Sequence, residues 1–67
     1  MKLTELTDRE KQILQLLAKG MNSAEIGQEL SLSSQTIENT IRTLRRLVSN
    51  SNNNTQLVYE AVKNGLI

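Results

Sequence analysis

An all-α domain of four helices is the fold class this 67-residue chain predicts, from three features of its sequence. The apolar residues are almost wholly Leu, Ile, Val and Ala, with Tyr59 the only aromatic and no proline, a mixture that favours helices over strands. Capping residues stand ahead of short segments whose apolar positions recur at the helical period. Two of those segments are joined by a tight link, and the second is polar and basic opposite its apolar stripe, which is the helix-turn-helix arrangement. A chain this short makes one domain, here residues 1–67, and buries only roughly 60% of its unfolded surface. Its function must therefore lie on the surface.

The elements follow in order. In "LTDREKQILQLLAKG", Thr7 and Glu10 have the spacing of a capping box, in which each side chain satisfies the other residue's free amide. Ile13, Leu14, Leu16 and Leu17 then supply an apolar face, and Gly20 stands where a left-handed cap is wanted, so the first helix is expected over 8–19. "NSAEIGQEL" repeats the pattern with Asn22 as cap, Glu25 three residues on, and Ile26 and Leu30 four apart, giving a second helix over 23–30. Gly27 inside it costs roughly 1 kcal/mol against alanine, which suggests close approach by another helix.

After Ser31, Leu32 and Ser33 a third helix is expected over 34–49, with Ile37, Ile41, Leu44 and Val48 as its buried stripe. Gln35, Glu38, Asn39, Arg42, Arg45, Arg46 and Ser49 occupy the opposite side. "SNSNNNT" reads as a loop that ends in a cap at Asn53 or Asn54. A fourth helix over 55–64 has Leu57, Val58, Ala61 and Val62 as its apolar face and stops at Asn64 and Gly65. There is no internal repeat.

Charge separates the third helix from the rest. It carries Arg42, Arg45 and Arg46 against Glu38 alone, whereas the remainder of the chain has five bases and six acids. Positive field is thus concentrated on one segment. A solvated helix face explains that equally well from charge alone. Without cysteine or histidine the chain offers no disulfide, thiolate nucleophile or usual zinc ligand, and its carboxylates are spread singly over polar faces. The reading is therefore not an enzyme, and no metal or cofactor is expected. No apolar run approaches the roughly 20 residues of a membrane span and no secretory leader opens the chain, so a cytoplasmic protein without membrane contact is expected.

The string "LTDREKQILQLLAKGMNSAEIGQELSLSSQTIENTIRTL" resembles the LuxR-type, GerE-like DNA-binding domain. That family's usual pattern begins L-T-x-R-E, places a glycine after the first helix, and continues with E-I-A and S-x-x-T-V-K-x-H. Here those places hold Leu6, Thr7, Arg9, Glu10, Gly20, Glu25, Ile26, Gly27, Ser33, Thr36, Ile37, Glu38 and Thr40. "TQLVYEAVKNGLI" is similar to the family's fourth helix and its G-L-I ending, so nearly the whole chain is covered. The resemblance implies a bacterial transcription regulator, free-standing or the output domain of a larger one, with a recognition helix over 34–48 in the major groove of double-stranded DNA.

Departures from the pattern bear on affinity. Glu38 stands in place of a common lysine and Thr40 in place of a histidine, "LVSNSN" replaces K-L-G-V, and Asn54 replaces the arginine that opens the fourth helix after a one-residue insertion. Fewer cationic contacts imply weak binding with a shallow salt dependence. The resemblance places Glu38, Asn39 and Arg42 at base edges, where they can address cytosine N4, adenine, and guanine O6 and N7 respectively. On the free helix, Glu38 and Arg42 are also spaced to pair with each other.

Phosphate contacts are expected from Asn22, Ser23, Ser33, Ser34, Gln35, Thr36, Arg45 and Arg46, near helix starts that favour anions. Ser33 also caps the third helix with or without DNA. Arg9 is expected to support the fold by pairing with an acid such as Glu25. The family's fourth helix pairs with its copy, which points to a homodimer on DNA through Tyr59, Val62 and Leu66, partly exposed residues in this reading. The competing reading, motivated by Glu38 and Thr40, keeps the fold for protein contact, as a regulator antagonist or a domain that touches RNA polymerase. The G-L-I-terminated fourth helix argues against a sigma-factor version of that reading.

Overall fold

The computed structural model describes residues 6–67. Four α-helices follow one another: α1 (Asp8–Ala18), α2 (Ser23–Leu30), α3 (Ser34–Leu44) and α4 (Asn54–Lys63), with a wide π-helical turn, Arg45–Ser49, between the last two. No strand occurs among the described residues. No helix among them is long and apolar enough to cross a membrane.

Each helix start is fixed by the residue type its position requires. Glu10 N–H donates to Thr7 Oγ1 at 3.1 Å while Thr7 N–H donates to the Glu10 carboxylate at 2.8 Å, a complete capping box. Asn22 and Glu25 form the same reciprocal pair, both bonds at 2.9 Å. Ser33 accepts from Thr36 N–H at the start of α3. At α4 the cap is Asn53, whose side-chain oxygen accepts from Thr55 and Gln56 N–H; Asn54 is already helical.

Apolar side chains from every helix meet in one core. Ile13 and Leu14 of α1, Ile26 of α2, Ile37, Ile41 and Leu44 of α3, and Leu57 and Ala61 of α4 are buried, with Leu6 and Leu66 closing the ends. Leu16, Leu17, Leu30 and Val48 pack around that centre without being fully covered. Burial of this kind supplies most of the driving force for a small helical domain.

Gly27 is approached closely, by the link from α2 and by the first residue of α3, whose Ser34 N would lie 3.4 Å from a Cβ there, rather than by a helix face. A Cβ at that position would lie 2.5 Å from the Leu32 carbonyl oxygen and 3.3 Å from the Ser33 carbonyl carbon. The link between α2 and α3 is what crosses it. Leu32 N–H donates to the Gly27 carbonyl at 2.7 Å, and Ser31 adopts a left-handed conformation (φ 60°) to bring the chain round. The result is a turn with no slack, which sets the angle at which α3 leaves α2.

The third helix departs from the expected 34–49. Regular α-geometry ends at Leu44, and the next five residues widen into a π-turn in which Asn50 N–H reaches back to the Arg45 carbonyl. Ser51 N–H and the Ser49 hydroxyl donate to the same carbonyl, at 3.4 and 3.0 Å. Asn50 then stops the turn at φ 50°, a conformation asparagine tolerates better than most residues. An i→i+5 turn takes up one residue more than an α-turn, and this one packs against α4.

Candidate nucleic-acid interface

Because successive residues of a helix are about 100° apart, the buried trio Ile37, Ile41 and Leu44 defines the opposite side of α3. Gln35, Asn39 and Arg42 form that outward strip, Arg46 continues it into the π-turn, and all four are exposed. Glu38 and Arg45 lie on one flank. Thr36, Thr40 and Thr43 lie on the other.

The outward strip is internally organised. Gln35 Nε2 donates to Asn39 Oδ1 at 3.1 Å, one helical turn apart. This is the i, i+4 pair the free helix makes. Glu38 and Arg42 do not make the expected one, since no ion pair closes within 4.0 Å among the described residues. Both instead line a small polar cavity with Ser23 from the start of α2, Arg45, and Asn54 from the start of α4. Arg42 thus keeps a guanidinium that no carboxylate has claimed.

Arg45 is placed differently from the other arginines. It is half-buried, and its Nη1 donates to Asn54 Oδ1 at 2.6 Å, tying the end of α3 to the first residue of α4. Its Nε is buried with no hydrogen-bond partner among the described residues. Arg46 by contrast is exposed, beside Thr43, Leu47 and Asn50. Grouping Arg45 with Arg46 as two equivalent outward cations therefore needs correcting: Arg45 faces α4. Sequence reasoning missed Asn54 as its partner, although the departure at that position from the family's arginine was the available signal.

The hydroxyl flank is also committed. Thr40 and Thr43 each donate to the carbonyl one turn back, Thr36 O at 3.0 Å and Asn39 O at 3.1 Å. Ser33 Oγ donates to Thr36 Oγ1 at 2.9 Å and accepts from Thr36 N–H, so its own proton is taken while that of Thr36 is left over. Ser34 and Gln35 are exposed at the same helix start. At the start of α2, the side chain of Asn22 is occupied as a cap and Ser23 is half-buried.

Two further expectations change. Arg9 does not support the fold through Glu25, because no ion pair closes between them within 4.0 Å. Arg9 is exposed and shares an open cleft with Thr7, Glu10, Asn39, Thr40 and Thr43, beside α3. On α4, Tyr59 and Val62 are 58% and 59% exposed, and the Lys63 ammonium lies 6.0 Å from the Tyr59 ring centroid. Leu66 does not join them. It lies beyond α4, is 8% exposed, and its N–H donates to the Ala61 carbonyl at 2.8 Å, so the chain after Gly65 folds back and places this side chain in the core.

The family described as "Bacterial regulatory proteins, luxR family" matches residues 4–61. The transcriptional regulatory protein DesR of Bacillus subtilis (strain 168) is 58% identical over 36 residues, which are 54% of this chain and 18% of that protein. The transcriptional regulatory protein DegU of Brevibacillus brevis is 37% identical over 62 residues, 92% of this chain and 26% of that protein. The chain thus spans about a quarter or less of the length of these relatives. No solved structure matches it. The chain belongs to the luxR family of bacterial regulatory proteins.

Proposed function

We propose that this luxR-family domain, residues 1–67 as one unit, is the DNA-binding part of a transcriptional regulator and lays α3 in the major groove of a duplex. The observation that carries the reading is the outward strip of α3, where Asn39, Arg42 and Arg46 are exposed without a large apolar side chain among them. A helix is about the width of the groove, and such donors match base edges and phosphates. Asn39 addresses adenine and Arg42 guanine, while Glu38, on the flank, accepts from cytosine N4. Arg46, Ser34, Gln35 and Thr36 contact phosphate together with Asn22 and Ser23, where the starts of α2 and α3 favour an anion, and the Ser33 hydroxyl joins them only by turning its proton away from Thr36. Arg45 reaches phosphate only by giving up Asn54, and its first role is to hold α4.

Tyr59 and Val62 give α4 a surface on which a second copy can pair, so that two domains read two half-sites. The regulator is cytoplasmic in this reading, and any contact with RNA polymerase belongs to the assembled protein on its promoter. An amide-resolved NMR titration with a mixed-sequence duplex at low salt tests the proposal. Shifts gathered on 22–23 and 33–46 are expected. Shifts confined to α4, or none, would show that the fold serves a protein partner instead.

A further inference from the structure

Beside the polar strip, α3 carries a narrow apolar feature that hydrogen bonding alone leaves unexplained. Thr43 is exposed, yet its hydroxyl proton is committed to the Asn39 carbonyl at 3.1 Å. A threonine bonded back to the preceding turn has no proton left for a base or phosphate acceptor. With Oγ1 turned to the backbone, the γ-methyl is the part of the side chain left facing out. Four residues on, half-buried Leu47 shares a groove with Thr43, flanked by Arg46 and Asn50. Thr43 sits about 70° round the helix from the centre of the outward strip, but only about 40° from Asn39 at its edge. It therefore borders the strip that the proposed function places against base edges.

We propose that Thr43 is a specificity-determining residue that reads the C5-methyl group of a thymine next to the base addressed by Asn39. That methyl is the one apolar feature on the major-groove edges of the four bases, and a threonine methyl is a suitable partner for it. The inference rests on the reading of α3 as a DNA-contacting helix and adds a base preference that the charged residues do not supply. Thr40, whose hydroxyl is committed in the same way but which is half-buried, lies too far round the helix for the same role.

The test removes one methyl from each side in turn. A tight-binding duplex is first selected from a randomised pool with the 67-residue chain. Each thymine is then replaced singly by deoxyuridine, which removes only the C5-methyl, and Kd is measured for the native chain and for Thr43→Ser, which keeps the back-bonding hydroxyl. One deoxyuridine position is expected to weaken the native chain about fourfold, the effect of one lost methyl burial, and to leave Thr43→Ser unchanged. If no deoxyuridine position weakens binding, or if Thr43→Ser responds as the native chain does, Thr43 does not read thymine although DNA binding stands. Failure to bind any duplex would overturn the DNA reading itself, and this assignment with it. Equal melting temperatures for the two proteins confirm that the substitution acts at the interface.

Discussion

The two ends of α3 are held by different physics. At its start, backbone presses on backbone: the link from α2 crosses Gly27 with no room for a Cβ, Ser31 is left-handed, and Leu32 N–H closes on the Gly27 carbonyl. At its end, side chains do the holding. Arg45 bonds to Asn54, the Ser49 hydroxyl lies 3.0 Å from that of Ser51, and the helix widens before it stops. Sterics of the first kind admit almost no adjustment, whereas polar bonds near the surface are exchanged for water at a cost of about 1 kcal/mol each. The angle at which the outward strip is presented is therefore fixed from the α2 side, and the attitude of α4 is the softer variable.

The largest expected effect strikes the rigid end. Helix propensity alone favours Gly27→Ala by about 1 kcal/mol. The new Cβ would meet the Leu32 carbonyl oxygen, a backbone atom that cannot rotate away, so the net change should be a loss of about 2 to 3 kcal/mol. Thermal or denaturant unfolding decides the sign, and a more stable variant would refute the contrast between the two ends.

Next in size is Arg42→Ala, between the ends. Because Arg42 is exposed and unclaimed by Glu38, its loss should cost about 1 to 3 kcal/mol of binding and relax preference at one base pair, with stability unchanged. Binding to a panel of single-base variants of a selected duplex reads this out. Uniform weakening across the panel would move Arg42 from a base to the phosphates.

A smaller effect separates the two arginines at the soft end. Arg46→Ala should lower the slope of log affinity against log salt by about 0.9, the signature of one lost phosphate contact. Arg45→Ala should leave that slope nearly unchanged and lower stability by about 1 kcal/mol, since what it loses is the bond to Asn54. Asn54→Ala should reproduce the Arg45 result. Matching slope changes for the two arginine variants would place both on the phosphate backbone.

The same contrast explains how far the sequence could be read. Starts of helices were legible because a cap is a local agreement between two residues three apart, as at Thr7 with Glu10 and Asn22 with Glu25. The luxR family was legible because its motifs lie in those same local agreements and at the rigid turn. The wide turn after Leu44 was not, since Arg45 to Ser49 carries helix-compatible residues and the turn packs on α4, distant in sequence. Leu66 was missed for a related reason: its burial depends on the chain folding back after Gly65, a three-dimensional event that periodicity along α4 does not encode. On α3, both Glu38 with Arg42 and Gln35 with Asn39 satisfy the i, i+4 rule. Only the second pair closes; Glu38 and Arg42 share a small cavity with Arg45, Ser23 and Asn54, neighbours that the spacing along one helix does not reveal.

The smallest effect compares the two left-handed residues that flank α3. A residue with a Cβ pays about 1 to 2 kcal/mol in that conformation, and glycine removes the strain while giving back about 0.5 to 1 kcal/mol through a freer unfolded chain. Ser31, at φ 60°, has a side chain poorly suited to this region, so Ser31→Gly should stabilise the protein by about 0.5 kcal/mol. Asn50, at φ 50°, already tolerates it, so Asn50→Gly should change stability by only about 0.3 kcal/mol or less, in either direction. Paired melting curves measure the difference. A larger gain at Asn50 than at Ser31 would mean that strain is stored at the exit of α3 rather than at its entry, and the assignment of rigid and soft ends would have to be reversed.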